Sequence, residues 1–230
     1  MPLIELTDVS HSYAAGRRRV LHDITIRLDE QRIGVIGANG SGKSTFARLL
    51  NGLILPDRGS VCIDGHDTRR EGKRVRQLVG FCFTDPDAQI VMPTVGEDVA
   101  FSLRRRELRG PALRARVAET LARFGLAEHA DHPAHLLSGG QKQLLALAAV
   151  LVTEPALIVM DEPTTLLDLR NARQIMTLVG GLDEQVVLLT HHLDLLAGFD
   201  RVLVFEDGRI VADAPPDQAI EHYHQLMRAS

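Results

Sequence analysis

Two short runs near the N-terminus, residues 3–6 and 24–28, alternate apolar and polar positions, the period of a strand with one face in a core and one in water. Residues 32–36 (Arg-Ile-Gly-Val-Ile) then lead into a glycine-rich turn and a helical stretch over 44–51. Pro56-Asp57-Arg58-Gly59 marks a turn before a further strand at 60–64. From about 93 to 136 the spacing becomes helical and rich in Arg and Glu, and this stretch separates strands predicted at 79–83 and 157–161. Beyond it, strand 156–160, helix 170–182 and strand 186–190 alternate, the strands nearly continuous in Val, Leu and Ile. That order predicts βαβ units around a buried parallel sheet. Runs 201–205 and 209–212 flank Glu206-Asp207-Gly208, and Asp-Gly between two strand-like runs predicts a hairpin. With no internal repeat and no long linker, the reading is one α/β domain over 1–230. Its core covers about 1–92 and 137–230, and a helical lobe is inserted at about 93–136.

Composition adds limits. The chain has 230 residues, 45% hydrophobic and 24% charged, enough to bury a core without disulfides or metals. A formal net charge of −4 argues against nucleic acid as the main partner. Cys62 and Cys82 sit in apolar, strand-like surroundings and read as buried free thiols of a reducing compartment. Met1-Pro2-Leu3-Ile4-Glu5 lacks the basic and apolar regions of a signal peptide, and the longest apolar run, about 144–152, falls far short of a bilayer span. The expectation is a cytoplasmic protein that reaches a membrane only through a partner.

Gly37-Ala38-Asn39-Gly40-Ser41-Gly42-Lys43-Ser44-Thr45 fits the phosphate-loop pattern G-x-x-x-x-G-K-[ST], after a strand and opening a helix as that pattern requires. Glycines let backbone N–H groups turn inward around phosphate oxygens, and the helix N-terminus adds a positive dipole end. Lys43 is expected to reach the β- and γ-phosphates of ATP, and the Ser44 hydroxyl to ligate Mg²⁺. The strand 157–161 ends in Asp161 and Glu162. Beside a phosphate loop, Asp161 falls near the metal and Glu162 can orient or deprotonate the attacking water. His191 ends the next strand, on the carboxyl edge where α/β proteins place ligand contacts, and can touch the γ-phosphate. His129, His132, His222 and His224 read as surface residues.

Together with Leu137-Ser138-Gly139-Gly140-Gln141, these motifs resemble, over nearly the whole chain, the ATP-binding subunits of ABC transporters. The resemblance implies a P-loop core with an N-terminal antiparallel β region and an inserted α-helical lobe that meets membrane subunits. It also implies an ATPase dimer, of two copies or with a paralogue, in which Ser138, Gly139, Gly140 and Gln141 of one subunit complete the nucleotide site of the other. Physically, that second glycine-rich helix start again suits an anionic phosphate. By the same resemblance Tyr13 stacks on adenine, and Asp168 belongs to a loop crossing the dimer interface.

Two positions depart from the family pattern. Thr84 stands where a Gln usually contacts the metal and attacking water; its hydroxyl, or Asp85 or Gln89, is left to replace it. Leu166 stands where a small residue is usual. Neither change removes Lys43, Asp161, Glu162 or His191, so an active ATPase is expected.

Pro86-Asp87-Ala88-Gln89 with Thr94-Val95-Gly96-Glu97-Asp98-Val99-Ala100-Phe101 resembles a segment of energy-coupling factor ATPases. That likeness implies a transmembrane coupling protein and a small substrate-binding membrane protein as partners, at the cytoplasmic face of the membrane. The cargo it implies is a vitamin or transition-metal ion, with biotin favoured over cobalt or nickel. An ordinary ABC importer and a soluble, non-transport ABC ATPase are the rival readings. Arg104-Arg105-Arg106, with Arg109, Arg114 and Arg116, either faces the membrane partner or is a solvated helix face; Arg17 to Arg19 fall in a predicted loop.

Overall fold

A computed structural model describes residues 1–13, 18–104 and 106–229, so Arg17 and Arg105 lie outside the described residues. The chain forms two compact units, one of residues 1–81, 156–162 and 180–230, the other of 82–155 and 163–179.

The first unit holds two sheets. Strands β1 (Ile4–Tyr13), β2 (Arg18–Leu28), β4 (Arg58–Ile63) and β5 (His66–Asp67) form an antiparallel sheet in the order β2-β1-β4-β5. β1 and β2 run well past the short alternating stretches seen in the sequence. Register shifts between Leu6 and Val9, Val9 and His11, and His11 and Ser12 explain why. Each shift breaks the two-residue period, and Asp8 and Asp23 take positive φ of 50° and 48° among them.

The second sheet runs β10-β9-β3-β8-β7-β6, from β3 (Arg32–Gly37), β6 (Val79–Cys82), β7 (Leu157–Asp161), β8 (Gln185–Leu189), β9 (Arg201–Glu206) and β10 (Arg209–Ala214). β3 pairs in parallel with β8 and β9, and β7 with β8. β3, β7 and β8 are buried at every position, as a sheet covered on both faces demands. Helix α1 (Lys43–Leu50) packs against strands of both sheets, and its Phe46 meets Phe205 of β9 at 5.1 Å between ring centroids. The predicted hairpin joins β9 and β10 antiparallel, with Asp207 at φ 43° and Gly208 at φ 74°. Two consecutive positive φ angles are what a tight two-residue turn between twisted strands needs.

Helices α2 (Gly72–Leu78) and α7 (Pro216–Ala229) were not legible in the sequence. α2 buries only Val75, so it shows no strong apolar stripe, and α7 buries the small Ala219. α7 packs on β9, β10 and β3, with Asp217 in its first turn and Arg228 in its last, as the helix dipole favours.

The second unit is helical: α3 (Val95–Ser102), α4 (Gly110–Arg123), α5 (Gly139–Leu151) and most of α6 (Leu169–Gly180). Thr94 and Glu97 cap α3 reciprocally. α3, α4 and α5 pack on one another around Val95, Val99, Leu103, Leu121 and Leu145, each no more than 1% exposed. Cys82 is buried and Cys62 half-buried, neither in a disulfide, so the expectation of two buried thiols holds for one. Among the described residues no helix is long and apolar enough to cross a membrane.

Candidate functional site

β3 delivers the chain into the loop 37–42, and α1 begins at Lys43 with Gly42 at φ 105° in the N-cap position. Gly42 has no side chain to cap the helix, so the first-turn N–H groups are left for a ligand, and an anion suits them best. Lys43 is 6% exposed, and its Nζ donates to the carbonyls of Gly37 (2.7 Å) and Ala38 (3.1 Å). Burial pulls its pKa below the usual lysine value, opposed by the charges of Glu162 and Asp161.

The hairpin turn braces this loop. Gly208 N–H donates to the Ser41 carbonyl and its own carbonyl accepts from His22 N–H, both at 2.9 Å. A Cβ on Gly208 would stand 2.3 Å from the Val20 carbonyl oxygen, so the close approach demands glycine. Nothing in the sequence reading singled out this contact.

β7 carries the acidic pair. Asp161 is 4% exposed and accepts a 2.9 Å hydrogen bond from Ser44 Oγ. Burial raises its pKa, and the Ser44 hydroxyl and the Arg48 charge lower it. Glu162 adopts φ 53°, a left-handed conformation that is uncommon for a non-glycine residue. Its N–H donates to Leu189 O at 3.0 Å, and its Oε2 lies 2.5 Å from Nδ1 of His191. The structure thus brings Lys43, Ser44, Asp161, Glu162 and His191 together in one unit.

A concavity of about 230 Å³ opens here, lined by Asn39, Gly40, Gly42, Lys43, Ser44, Thr45 and Glu162, with Val20 and Tyr13. Tyr13 is 38% exposed; its hydroxyl lies 3.3 Å from Thr45 Oγ1, and its ring meets His11 edge-on at 4.9 Å. An exposed aromatic face beside a phosphate-binding loop offers a stacking surface for a base.

In the second unit, Ser138 is the N-cap of α5: its Oγ accepts from Gln141 N–H (3.3 Å), and Gln141 Oε1 accepts from Ser138 N–H (2.9 Å). Gln141 Nε2 donates to Nε2 of His129 at 3.1 Å. His129 is therefore half-buried and partnered, where the sequence suggested a surface residue. With both side chains engaged locally, the motif presents chiefly its backbone, and Gly139 faces open space.

Thr84 also lies in the second unit, just past β6. The two residues left open as its substitutes both make local contacts in the second unit. Asp85 caps a 3₁₀ turn at Asp87 N–H, and Gln89 bridges Phe83 N–H (3.1 Å) and the Ala146 carbonyl (3.0 Å).

The family model for ABC transporters matches residues 21–165, which run from β2 through the phosphate loop and the glycine-rich signature at 137–141 to the acidic pair. The chain belongs to the ABC transporter ATPases. It is 53% identical to a putative ABC transporter ATP-binding protein of Deinococcus radiodurans, over 98% of this chain and 99% of that one. It is 48% identical to the biotin transport ATP-binding protein BioM of Rhizobium etli, over 92% of this chain and 94% of that one. It is 38% identical to the energy-coupling factor transporter ATP-binding protein EcfA1 of Caldanaerobacter subterraneus, over 98% and 85%. Among solved structures, CbiO1 of Clostridium perfringens, part of the complex CbiONQ, matches with TM-score 0.84 and 30% identity, covering 98% of this chain and 93% of that one. A dimeric ATP-binding cassette holding ADP and phosphate matches with TM-score 0.82 and 28% identity, covering 93% and 98%. As an ABC ATPase the chain binds and hydrolyses ATP.

Proposed function

We propose that this ABC ATPase drives an energy-coupling factor importer of biotin. The observation that supports this reading most strongly is the likeness, at 48% identity over nearly the full length of both chains, to a protein named for biotin transport. In this reading the chain is peripheral on the cytoplasmic face of the membrane, as a dimer of two copies or with a paralogue. Its partners are a transmembrane coupling protein and a small membrane protein that binds substrate.

ATP enters the concavity with its base on Tyr13 and its phosphates over the loop Asn39-Gly40-Ser41-Gly42-Lys43-Ser44-Thr45. Lys43 exchanges its carbonyl acceptors at Gly37 and Ala38 for phosphate oxygens. The Ser44 hydroxyl and the Asp161 carboxylate, 2.9 Å apart, form an oxygen donor pair that fits Mg²⁺, which typically takes one or two protein oxygens and completes its shell with substrate phosphates and water. When bound, Mg²⁺ neutralises charge that develops on the phosphates. Glu162 orients the attacking water and draws its proton toward Oε1 or Oε2, while His191 holds the carboxylate in place and reaches the γ-phosphate. Ser138, Gly139, Gly140 and Gln141 of a second subunit close the sandwich over the same phosphates.

The test is to purify the tagged chain from detergent-solubilised native membranes, identify what comes with it and measure radiolabelled biotin retained. A coupling protein plus one small hydrophobic binder carrying biotin supports the reading. A complex that holds a metal ion instead changes the cargo, and recovery with soluble proteins alone overturns the transport assignment.

A further inference from the structure

Gly140 of the signature lies flush against the side chain of Asn171 in α6. A Cβ on Gly140 would stand 2.6, 2.7 and 2.9 Å from Asn171 Cγ, Oδ1 and Nδ2, closer than real side chains approach. Gly139, its neighbour, has nothing within 4 Å, so the crowding is confined to one of the two glycines. Only a residue without a side chain lets the amide plane of Asn171 rest on the first turn of α5.

Asn171 is itself held. Its N–H donates to Asp168 Oδ1 at 2.8 Å, and its Nδ2 donates to Asp168 Oδ2 at 3.0 Å. Asp168 also accepts Ala172 N–H on its carbonyl, at 2.9 Å. Capping α6 needs only one carboxylate oxygen and a backbone N–H, which any residue at 171 other than proline would supply. The second oxygen takes up the side-chain amide, which a cap does not require. The result is a continuous contact path, Asp168 to Asn171 to Gly140, within the second unit.

We propose that Asn171 is a positioning residue: its carboxamide, fixed by Asp168, sets how the first turn of α5 is presented, so that the 165–168 loop and the 138–141 signature move as one piece. The inference rests on the ATP sandwich proposed above, in which both segments meet a second subunit. There, a signature already held in place spends less of its binding energy on ordering. Loosening Asn171 therefore weakens closure of the dimer and leaves nucleotide binding by the phosphate loop of the isolated subunit intact, since none of its residues belongs to the second unit.

The experiment uses the purified chain carrying Glu162→Gln, to hold ATP unhydrolysed, and measures the dimer dissociation constant by sedimentation velocity with MgATP. Asn171→Ala, which keeps the backbone cap on Asp168, raises that constant about tenfold, within the usual range of coupling between sites. Binding of a fluorescent ATP analogue to the monomer changes less than about twofold, a shift well under the coupling expected. Thr177→Ala, which removes a hydroxyl bonded to the Arg173 carbonyl elsewhere on α6, leaves dimerisation unchanged. The contact is read separately: Gly140→Ala lowers Tm in the parent, and lowers it less when Asn171 is already Ala.

Equal dimer constants for the parent and Asn171→Ala overturn the inference, as does an equal Tm cost of Gly140→Ala in both backgrounds. A parent that stays monomeric with MgATP overturns the sandwich itself, and the inference with it.

Discussion

His191 Nδ1 and Glu162 Oε2 stand 2.5 Å apart, joining the residues that follow two adjacent parallel strands, β7 and β8. Glu162 is held at both ends, since its N–H bonds to Leu189 and its tip to His191. Its φ of 53° adds a local backbone cost on the order of 1–3 kcal/mol, which the surrounding sheet must offset. A carboxylate held this way has little freedom to leave its position.

Glu162→Gln is expected to lower phosphate release by about 10²-fold or more, in the range typical of a lost general base. His191→Ala should fall into the same range. Because the two share one hydrogen bond, the double variant should be no slower than the worse single one, as residues that act as a unit are strongly non-additive. Multiplicative losses in a steady-state phosphate assay would show that they work independently.

Asp161 gives a prediction in which stability and function move oppositely. Its buried carboxyl titrates above the ordinary 3.8, so the native state holds the proton more tightly than the unfolded chain does. The stability tied to this group is fully present at low pH and is lost as pH rises through the raised value. Above that raised value the apo protein carries a destabilising carboxylate. Asp161→Asn should raise the apo Tm by about 2–4 °C, the shift that roughly 1 kcal/mol gives in a chain of this size. It should also abolish most of the extra stabilisation that MgATP confers. Scanning calorimetry with and without MgATP decides this; a lower apo Tm would mean that the Ser44 bond outweighs desolvation.

The chemistry was more legible in the sequence than the architecture that supports it. The phosphate loop and the acidic pair are contiguous motifs, and the structure brings them together with His191 in one unit. The long strands β1 and β2 were seen only in part because bulges interrupt their alternation. His129 was read as a surface residue and Asn171 was not singled out, since no local spacing announces their contacts with Gln141 and Gly140. Gly208 did carry a signal, the Asp-Gly turn, but nothing in it said that the turn would brace residue 41.

Gly208→Ala should damage the site from a distance. At φ 74° any side chain is strained, and here the new methyl also meets the Val20 carbonyl oxygen at 2.3 Å. Gly65, at φ 77° with nothing within 4 Å, isolates the conformational cost alone. Gly65→Ala should cost about 1 kcal/mol. Gly208→Ala should cost at least about 2 kcal/mol more, in the range of overpacked sites, and should weaken ATP binding as well. Urea unfolding and nucleotide titration check both; equal costs would mean that the hairpin shifts to make room and the brace is dispensable.

Gln89 offers a test that pH can switch. Its carboxamide accepts from Phe83 N–H and donates to the Ala146 carbonyl, tying the segment after β6 to the middle of α5 within the second unit. Gln89→Glu keeps the acceptor for Phe83 but turns an oxygen toward the Ala146 carbonyl, where an ionised carboxylate repels it. Protonation restores a donor, so the introduced acid should titrate higher in the native state than in the unfolded chain. The sign follows: relative to wild type, the variant is close to neutral well below the ordinary glutamate range and loses about 1–3 kcal/mol as pH rises to 7.5, the cost of an unmet polar group. Gln89→Ala removes both bonds and should cost a similar amount at every pH. Urea unfolding of the three proteins at pH 4 and pH 7.5 separates these cases, and a Gln89→Glu deficit that stays constant with pH would mean that water, rather than Gln89, satisfies Ala146.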